Sequence, residues 1–588
     1  QETAKIAVLG AGSWGTGLAV LLARNGHGVW LWGHVPAHVA TLQRDRENRR
    51  YMPEIGFPPT LRLEASLAAA VGAAWGLIAG GWMPRGPLTT SHAVLSLLIS
   101  VVVGGVAGLV AKSRWTMAIV PVMFALVFEL SRLDLDGPSV DAVSFSPYGL
   151  LAFATGRGVH ALLSLVPMAL GAAIGAGMAR ALDARSASDG EMAVSGTGTV
   201  TAGRRGPRIA RRAVAILTAV ALLAFTVGLL RPASTDEIVD ADGNVVPGSI
   251  AELTRVDVNG RDLGMMIRGH SVENPVLLFL AGGPGGSEYG AMRRHLPELE
   301  EYFTVVTWDQ RGAGTSYPQL DPTDTMTLDG AIADTIAVTE YLLERFDDDS
   351  VYLLGQSWGT TLGVFAVQER PELYDAFVGT GQMVSQRETD RIFWEDTLAW
   401  AEETGRDGLA DELRDIGPPP YDTMLDYETT LSHEQEVYPY DHSQNSEGEG
   451  QMSENLLVSE YTLLDQLHVL PAFMDTFGAL YPQLQDIDFR ETATEFEVPM
   501  FFVQGAHEAD GRAELFDEWY PMIDAPVKDV QVLDTSGHRP LWEQPDEFVD
   551  YMVGTVLAET VVVADQSRDV PSTDAAADTA EEEAEGDS

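Results

Sequence analysis

Gly-Gln-Ser-Trp-Gly, residues 355–359, follows the apolar run Val-Tyr-Leu-Leu at residues 351–354 and precedes small residues that can begin a helix. The pattern G-x-S-x-G between a strand and a helix is typical of a sharp, strained turn that exposes a serine hydroxyl. Glycine is needed on both sides because a Cβ there would collide with neighbouring backbone. The stretch therefore predicts a nucleophilic serine, Ser357, at the carboxyl end of a strand.

A glycine-rich turn follows an earlier apolar run. Pro-Val-Leu-Leu-Phe-Leu at residues 275–280 predicts a buried strand, and Ala-Gly-Gly-Pro-Gly-Gly at residues 281–286 follows it directly. Such a turn lets backbone N–H groups approach a substrate carbonyl oxygen, which is how an oxyanion hole is built. We expect the N–H groups of Gly283 and Trp358 to form that hole.

Two strand-like runs near the end of the chain lead into the remaining catalytic candidates. Met-Phe-Phe-Val at residues 500–503 precedes Glu508, and Val-Gln-Val-Leu at residues 530–533 precedes His538. The order serine, acid, histidine, each after a strand, is that of the α/β-hydrolase arrangement. We therefore predict a nucleophile, Ser357, with His538 as its general base and Glu508 as the acid that orients the histidine.

Four stretches carry a family resemblance: Gly-Gly-Pro-Gly-Gly at 282–286, Trp-Asp-Gln-Arg-Gly-Ala-Gly-Thr-Ser at 308–316, Gly-Gln-Ser-Trp-Gly-Thr-Thr-Leu at 355–362 and Ser-Gly-His at 536–538. With them, residues 250–557 resemble the proline iminopeptidase family of α/β-hydrolases. Ala281 departs from the family, which usually has histidine there, and Glu508 stands where aspartate is commoner. Asp510 is the alternative acid, although the family's acid lies at the offset of Glu508 after Gly505.

The resemblance implies a mostly parallel sheet flanked by helices, and an enzyme that removes N-terminal residues from short peptides. It also implies that carboxylates of a cap hold the amino group of the substrate, for which the candidates are Glu395, Asp396, Glu402 and Glu403. Two other functions stay open. One is an esterase or acyl hydrolase of the same fold, and the other is an inactive, membrane-anchored binding domain.

Strand-like apolar runs cease to recur between residues 386 and 488, which predicts an inserted helical cap. Helical stretches are expected at residues 391–403 and 456–467. Residues 434–454 are polar and acidic, and predict a mobile loop. The acidic segment from residue 572 to residue 588 lacks apolar periodicity, so we expect a disordered tail.

Charge and composition exclude several classes of function. Residues 1–232 carry a net charge of +8 and residues 233–588 a net charge of −57, so the second part repels nucleic acid. The chain has no cysteine, which excludes disulfides, thiol nucleophiles and thiolate metal sites. No H-E-x-x-H or comparable ligand pattern occurs, and we predict neither a metal nor a cofactor.

Five apolar segments rich in glycine and alanine lie in the first half of the chain, at residues 67–83, 92–111, 115–133, 159–181 and 213–230. The second, fourth and fifth approach the ~20 residues that cross a bilayer. Basic clusters fall in three loops that share one side if every segment spans: Lys112 and Arg114; Arg180 and Arg185; Arg204, Arg205, Arg208, Arg211 and Arg212. The positive-inside rule then predicts a multi-pass protein of the cell membrane, with a cytoplasmic N-terminus and the hydrolase outside the cytoplasm.

The N-terminus carries a second pattern. Ile-Ala-Val-Leu at residues 6–9 leads into a G-x-G-x-x-G turn, in which Gly10, Gly12 and Gly15 would let a pyrophosphate lie against a helix N-terminus. With the motifs Leu-Trp-Gly-His and Asn-Arg-Arg-Tyr-Met-Pro farther on, the first 70 residues resemble the start of bacterial NAD(P)-dependent glycerol-3-phosphate dehydrogenase. That family needs a full nucleotide sheet, a catalytic lysine and a helical substrate domain. Apolar segments follow here instead, so we predict a partial β-α-β fragment, left by a remnant or a fusion. NAD-dependent glycerol-3-phosphate dehydrogenase activity of this fragment stays open as a further alternative function.

These patterns divide the chain into six parts. We expect a partial nucleotide-binding fragment at 1–66, a transmembrane region of about five helices at 67–231, the first part of an α/β-hydrolase core at 232–385, a helical cap at 386–488, the second part of the core at 489–563 and an acidic tail at 564–588. The sequence leaves the oligomeric state open.

Overall fold

A computed structural model gives the fold of the chain. The structure describes residues 5–33, 36–64, 67–83, 88–113, 115–132, 145–191, 206–320, 323–421, 424–441 and 454–560. The chain divides into two compact units, Gln1–Pro232 and Ala233–Ser588. The predicted tail at 564–588 lies outside the described residues.

The first unit begins with a small parallel sheet. Strands β1 (Lys5–Leu9), β2 (Gly28–Trp32) and β5 (Leu61–Glu64) pair in the order β1-β2-β5. A Cβ on Gly15 would lie 1.7 Å from the carbonyl oxygen of Gly10, so the G-x-G-x-x-G turn is as tight as its glycines predict. The remaining elements of this fragment are helices Ser13–Arg24 and Pro36–Asp45 and the antiparallel strands β3 (Glu47–Asn48) and β4 (Met52–Gly56). The predicted Rossmann-like fragment is confirmed.

Apolar helices make up the rest of the described part of the first unit. Among the described residues, three helices are long and apolar enough to cross a membrane: Thr90–Ala111, Pro147–Asp183 and Ala213–Leu230. They match the second, fourth and fifth predicted segments, whereas Ala68–Trp82 and Thr116–Leu130 are shorter. The full bounds of these helices are Leu67–Trp82, Thr90–Ala111, Thr116–Leu130, Pro147–Phe153 with a π-helical continuation at Ala154–Gly158, Val159–Glu191 and Gly206–Leu230.

Two of these helices pack with their backbones in direct contact. On helix Thr90–Ala111, a Cβ added to Gly104 would lie 2.0 Å from the carbonyl oxygen of Met168. On the facing helix, a Cβ added to Gly175 would lie 2.0 Å from the carbonyl oxygen of Gly105. Small residues allow this close approach, which is a common way for helices to associate in a bilayer.

The second unit is built on an eight-stranded sheet in the order β13-β12-β11-β10-β8-β9-β7-β6. Its strands are β6 (Ile250–Val258), β7 (Arg261–Gly269), β8 (Val276–Leu280), β9 (Thr304–Trp308), β10 (Val351–Gln356), β11 (Tyr374–Thr380), β12 (Met500–Gly505) and β13 (Lys528–Leu533). Strands β6 and β7 are antiparallel to their neighbours and the others pair in parallel. Every residue of β8, β9, β10 and β12 is buried, as in parallel sheets that are covered on both faces. The predicted α/β-hydrolase fold is confirmed.

Helices connect the parallel strands and cover the sheet. Those belonging to the core are Tyr289–His295, Leu328–Phe346, Trp358–Glu369, Asp510–Trp519, Pro540–Glu543 and Pro545–Tyr551, with a π-helical turn at Met552–Leu557. Short 3-10 helices occur at Pro297–Glu301, Gly314–Leu320, Thr323–Thr325, Pro371–Leu373, Tyr481–Leu484 and Tyr520–Met522. Each catalytic candidate lies in a loop that follows a parallel strand, so the sheet brings these loops to one edge.

The segment between β11 and β12 is helical, with helices Gln386–Glu403, Asp407–Ile416, Met424–Leu431, Glu434–Val437, Leu463–Leu480 and Phe489–Thr492. The helix predicted at 456–467 is wrong at its start. It begins at Leu463, because Thr462 and Asp465 form a capping box in which each side chain accepts from the other's backbone N–H.

The mobile loop predicted at residues 434–454 is wrong at both described ends. Residues Glu434–Val437 form a helical turn, and the Glu434 carboxylate pairs with the guanidinium of Arg512. At the other end Glu454 is buried, where it pairs with His295 and Arg539. The polar composition of the segment predicted a loop. It could not show these ion pairs, because the partners are distant in sequence. Residues 442–453 lie outside the described part of the chain.

Candidate active site

The turn after β10 holds Ser357 in a conformation that few residues adopt. Its φ is 53° and its ψ −117°, and helix Trp358–Glu369 begins at the next residue. A Cβ on Gly355 would lie 2.6 Å from the carbonyl oxygen of Gly359, and one on Gly359 would lie 2.0 Å from that of Leu280. Both glycines therefore make room for backbone, as the G-x-S-x-G pattern predicts.

A chain of hydrogen bonds joins the three predicted triad residues. The Ser357 hydroxyl oxygen lies 3.0 Å from Nε2 of His538, and Nδ1 of His538 lies 2.6 Å from Oε2 of Glu508. An ionised carboxylate only accepts hydrogen bonds, so Nδ1–H is the donor to Glu508. In the neutral imidazole Nε2 is then the acceptor for the serine hydroxyl. This is the arrangement in which a histidine can remove the proton of a serine.

Glu508, and not Asp510, lies against the histidine. Glu508 is 9% exposed, whereas Asp510 is exposed at the first position of helix Asp510–Trp519. The second carboxylate oxygen of Glu508 accepts from Nε of Arg512 at 2.6 Å and from the backbone N–H of Ala509 at 2.9 Å. The structure thus brings Glu508 to the imidazole and leaves Asp510 in solvent.

Charge sets the protonation state of the Glu508 carboxyl. Burial alone would raise its pKa, but the positive charges of Arg512 and His538 outweigh burial and lower the pKa of Glu508 to about 2. The carboxylate is therefore ionised at neutral pH. An ionised Glu508 stabilises the imidazolium that forms when His538 accepts a proton.

The glycine turn after β8 lies beside the serine. Gly283 and Gly285 have φ values of 123° and 102°, in the left-handed region that favours glycine. Gln310 connects this turn to the serine helix: its amide nitrogen donates to the carbonyl oxygen of Ala281 at 3.1 Å, and its oxygen accepts from Nε1 of Trp358 at 2.9 Å. Both predicted oxyanion donors thus belong to segments that one side chain holds together. The Asp-Gln-Arg-Gly motif contained this residue, but its pattern assigned it no contact.

Three of the four cap carboxylates proposed from the sequence have partners within the cap. Glu395 pairs with Arg391 and Glu402 pairs with Arg414, and both glutamates are exposed. Glu403 is exposed as well. Asp396 accepts from the hydroxyl of Tyr438. All four lie on a helix whose inward face was not evident from sequence.

Two other acidic residues adjoin or contact the loops that carry the catalytic candidates. Glu288 follows the glycine turn, and Oε2 accepts from the amide of Asn455 at 2.9 Å. Burial raises the pKa of Glu288 to about 7, with the charge of Arg539 opposing it. Glu454 accepts from Nη2 of Arg539, the residue after His538, at 2.9 Å. No sequence pattern pointed to either, since their partners lie more than 80 residues away.

The described residues contain no group of three or more histidine, aspartate or glutamate side chains placed to hold a metal ion. In the first unit, Gly10, Gly12 and Gly15 form the tight turn at the end of β1, and Asn48 donates to the carbonyl oxygen of Ala11 at 3.2 Å. The described residues form three parallel strands there.

Comparison with known proteins identifies the family of the second unit. Residues 275–545 match the family model of the alpha/beta hydrolase fold. The chain is 31% identical over 305 residues to the probable aminopeptidase YbaC of Bacillus subtilis (strain 168), covering 51% of this chain and 95% of that protein. The chain belongs to the α/β-hydrolase family. The crystal structure of a proline iminopeptidase-related protein from Thermus thermophilus is 20% identical, with a TM-score of 0.38, and covers 53% of this chain and 98% of its own.

The first unit matches a different family. Residues 5–79 match the family model of the N-terminus of NAD-dependent glycerol-3-phosphate dehydrogenase. The chain is 60% identical over 73 residues to glycerol-3-phosphate dehydrogenase [NAD(P)+] of Citrobacter koseri, covering 12% of this chain and 22% of that protein. The chain thus spans about a fifth of the length of these dehydrogenases.

The charge of Glu508 predicts a dependence of stability on pH. Because folding lowers its pKa from 4.5 to about 2, the ionised carboxylate stabilises the folded chain above pH 4.5, and this contribution is lost as the pH falls towards 2. We expect the free energy of unfolding of the wild type to exceed that of Glu508→Gln by more at pH 5 than at pH 2, in urea titrations. A difference that is the same at both pH values would contradict the assignment.

Proposed function

We propose that this chain is a membrane-anchored serine hydrolase, and most specifically an aminopeptidase that resembles proline iminopeptidases. The observation that carries the proposal is the hydrogen-bond chain from Ser357 through His538 to Glu508, with the serine at a positive φ. This combination provides a nucleophile, a base and an ionised group that orients the base. The acid, base and nucleophile come from three different loops, which a serine in an ordinary turn would not require.

In the proposed reaction His538 Nε2 takes the hydroxyl proton of Ser357 while the serine oxygen attacks the carbonyl carbon of the substrate. The N–H groups of Gly283 and Trp358 stabilise the resulting oxyanion, each by about 3 kcal/mol of barrier. The imidazolium then protonates the leaving amine, which departs and leaves an acyl-enzyme. Water attacks the acyl-enzyme by the same route, with His538 as base, and releases the acid and the free serine.

Peptides with a free amino terminus are the proposed substrates. The match to a probable aminopeptidase over 95% of its length supports this choice. The acidic surroundings support it as well, since the second part of the chain carries a net charge of −57 and attracts cationic groups. An esterase needs no such charge.

The bilayer is the proposed partner of the first unit. The helices Thr90–Ala111, Pro147–Asp183 and Ala213–Leu230 each contain a stretch of 18 residues whose mean hydropathy, 2.5, 1.8 and 2.6 respectively, suits a hydrocarbon environment. If the shorter helices Leu67–Trp82 and Thr116–Leu130 cross as well, the basic loops share one side, and the positive-inside rule then favours a cytoplasmic N-terminus and a hydrolase outside the cytoplasm.

Paired substrates test the reaction. We expect the full-length chain to hydrolyse prolyl anilides with a free amino terminus in preference to short-chain acyl esters. Loss of the Ser357 hydroxyl removes the nucleophile, so Ser357→Ala should lower kcat by about 10⁴-fold or more. The control is Ser350→Ala. Ser350 directly precedes β10, at the end of the strand opposite to Ser357, and its hydroxyl donates to Asp375. Ester turnover alone would make the protein an acyl hydrolase, and anilide turnover that survives in Ser357→Ala would reject the serine mechanism.

Single introduced cysteines can show on which side of the membrane each unit's loops lie, because the sequence contains no other cysteine. Glu298 is exposed on the hydrolase unit, and Lys112 lies in a basic loop between two apolar helices, so the substitutions are Glu298→Cys and Lys112→Cys. We expect a membrane-impermeant maleimide to label Glu298→Cys in intact cells and to label Lys112→Cys only after permeabilisation. The reverse pattern would place the hydrolase in the cytoplasm.

A further inference from the structure

Arg512 contacts the predicted triad acid and the cap at the same time. Its Nε donates to Oε1 of Glu508 at 2.6 Å, and its Nη2 donates to the carboxylate of Glu434. Its guanidinium lies over the ring of Phe393, 4.9 Å from the centroid. Glu434 and Phe393 both belong to the segment between β11 and β12, whereas Glu508 follows β12. One buried side chain therefore joins the two parts of the hydrolase.

The short cap segment that begins at Glu434 covers the acid side of the triad. Glu434, Tyr438, Tyr440, His507, Glu508 and His538 line one small pocket. The ring of Tyr440 stacks on that of His507, with centroids 5.1 Å apart and an interplanar angle of 3°. The segment is thus held against the core by a ring stack at one end and by Arg512 at the other.

The geometry fixes how Glu508 presents its two oxygens. Oε2 accepts from His538, and Oε1 accepts from Arg512 and the backbone of Ala509. A carboxylate held at both oxygens cannot turn about its last bond, so the imidazole keeps the orientation in which Nε2 meets Ser357. Arg512 is held in turn by Glu434. The guanidinium is planar and its N–H groups point in fixed directions, so the bond from Nη2 to Glu434 sets the direction in which Nε meets Glu508.

We propose that Arg512 is a positioning residue of the triad, which Glu434 of the cap holds in place, so that docking of this cap segment determines how well Glu508 orients His538. The proposal rests on the proposed function of Ser357, His538 and Glu508. It assigns Arg512 no contact with substrate. Its effect therefore belongs to the chemical step and not to substrate binding.

The chain contains a matched control in Arg490. This arginine also joins the first cap helix to helix Asp510–Trp519, through Glu388 at 2.6 Å and Glu518 at 2.5 Å, and it pairs with Asp488. None of these three carboxylates belongs to the triad. Arg490→Leu removes a comparable set of ion pairs without touching Glu508.

Kinetics of variants of the full-length chain test the proposal. We expect Arg512→Leu to lower kcat by about tenfold or more and to change KM by less than about threefold, while Arg490→Leu leaves both near the wild-type values. Arg512→Lys keeps the charge but not the fork, and should recover part of the loss. Glu434→Gln should lower kcat in the wild type and have no further effect in the Arg512→Leu background, because its influence passes through Arg512. Thermal unfolding of each variant identifies any loss that comes from misfolding.

The rate at which a fluorophosphonate probe modifies Ser357 gives a readout that needs no correct substrate. We expect Arg512→Leu to slow this modification about tenfold, in proportion to kcat. Unchanged modification and kcat in Arg512→Leu would overturn the positioning role, as would a Glu434→Gln effect that persists without Arg512. A wild-type chain that the probe does not modify at Ser357 would instead refute the proposed function.

Discussion

The close approach of two backbones at Gly359 is the constraint on which the site depends. Strand β10 pairs with β8, and the helix after Ser357 passes so near the end of β8 that a Cβ at Gly359 would lie 2.0 Å from the carbonyl oxygen of Leu280. This contact brings the serine turn beside the glycine turn that follows β8. Within that turn Ser357 has a φ of 53°, a conformation that few non-glycine residues adopt without support from their surroundings.

Buried charge is the second organising feature. Glu508 is buried, and a buried carboxylate is stable only with compensating partners. Arg512 and His538 supply them, which lowers the pKa of Glu508 to about 2. Arg512 also pairs with Glu434 of the cap, so the charge balance of the triad and the packing of the cap depend on the same side chain.

Sequence patterns predicted the parts of the structure that depend on local chemistry. The glycines around Ser357, the buried strands and the order of the triad followed from short-range rules, and the structure brings Glu508 to His538. Contacts between distant residues were beyond those rules. The pairing of Arg512 with Glu434, the start of a helix at Leu463 and the outward direction of Glu395 and Glu402 all depend on how the cap folds onto the core.

The central claim is that Ser357 becomes covalently acylated during turnover. Rapid acid quenching of the full-length chain with a chromogenic acyl substrate, followed by peptide mass spectrometry, measures this directly. The account predicts the mass of the acyl group on the peptide that contains Ser357, and no such adduct in a Ser357→Ala variant, where the nucleophile is absent. Product release by the wild type with the acyl group on another residue, or on none, would contradict it.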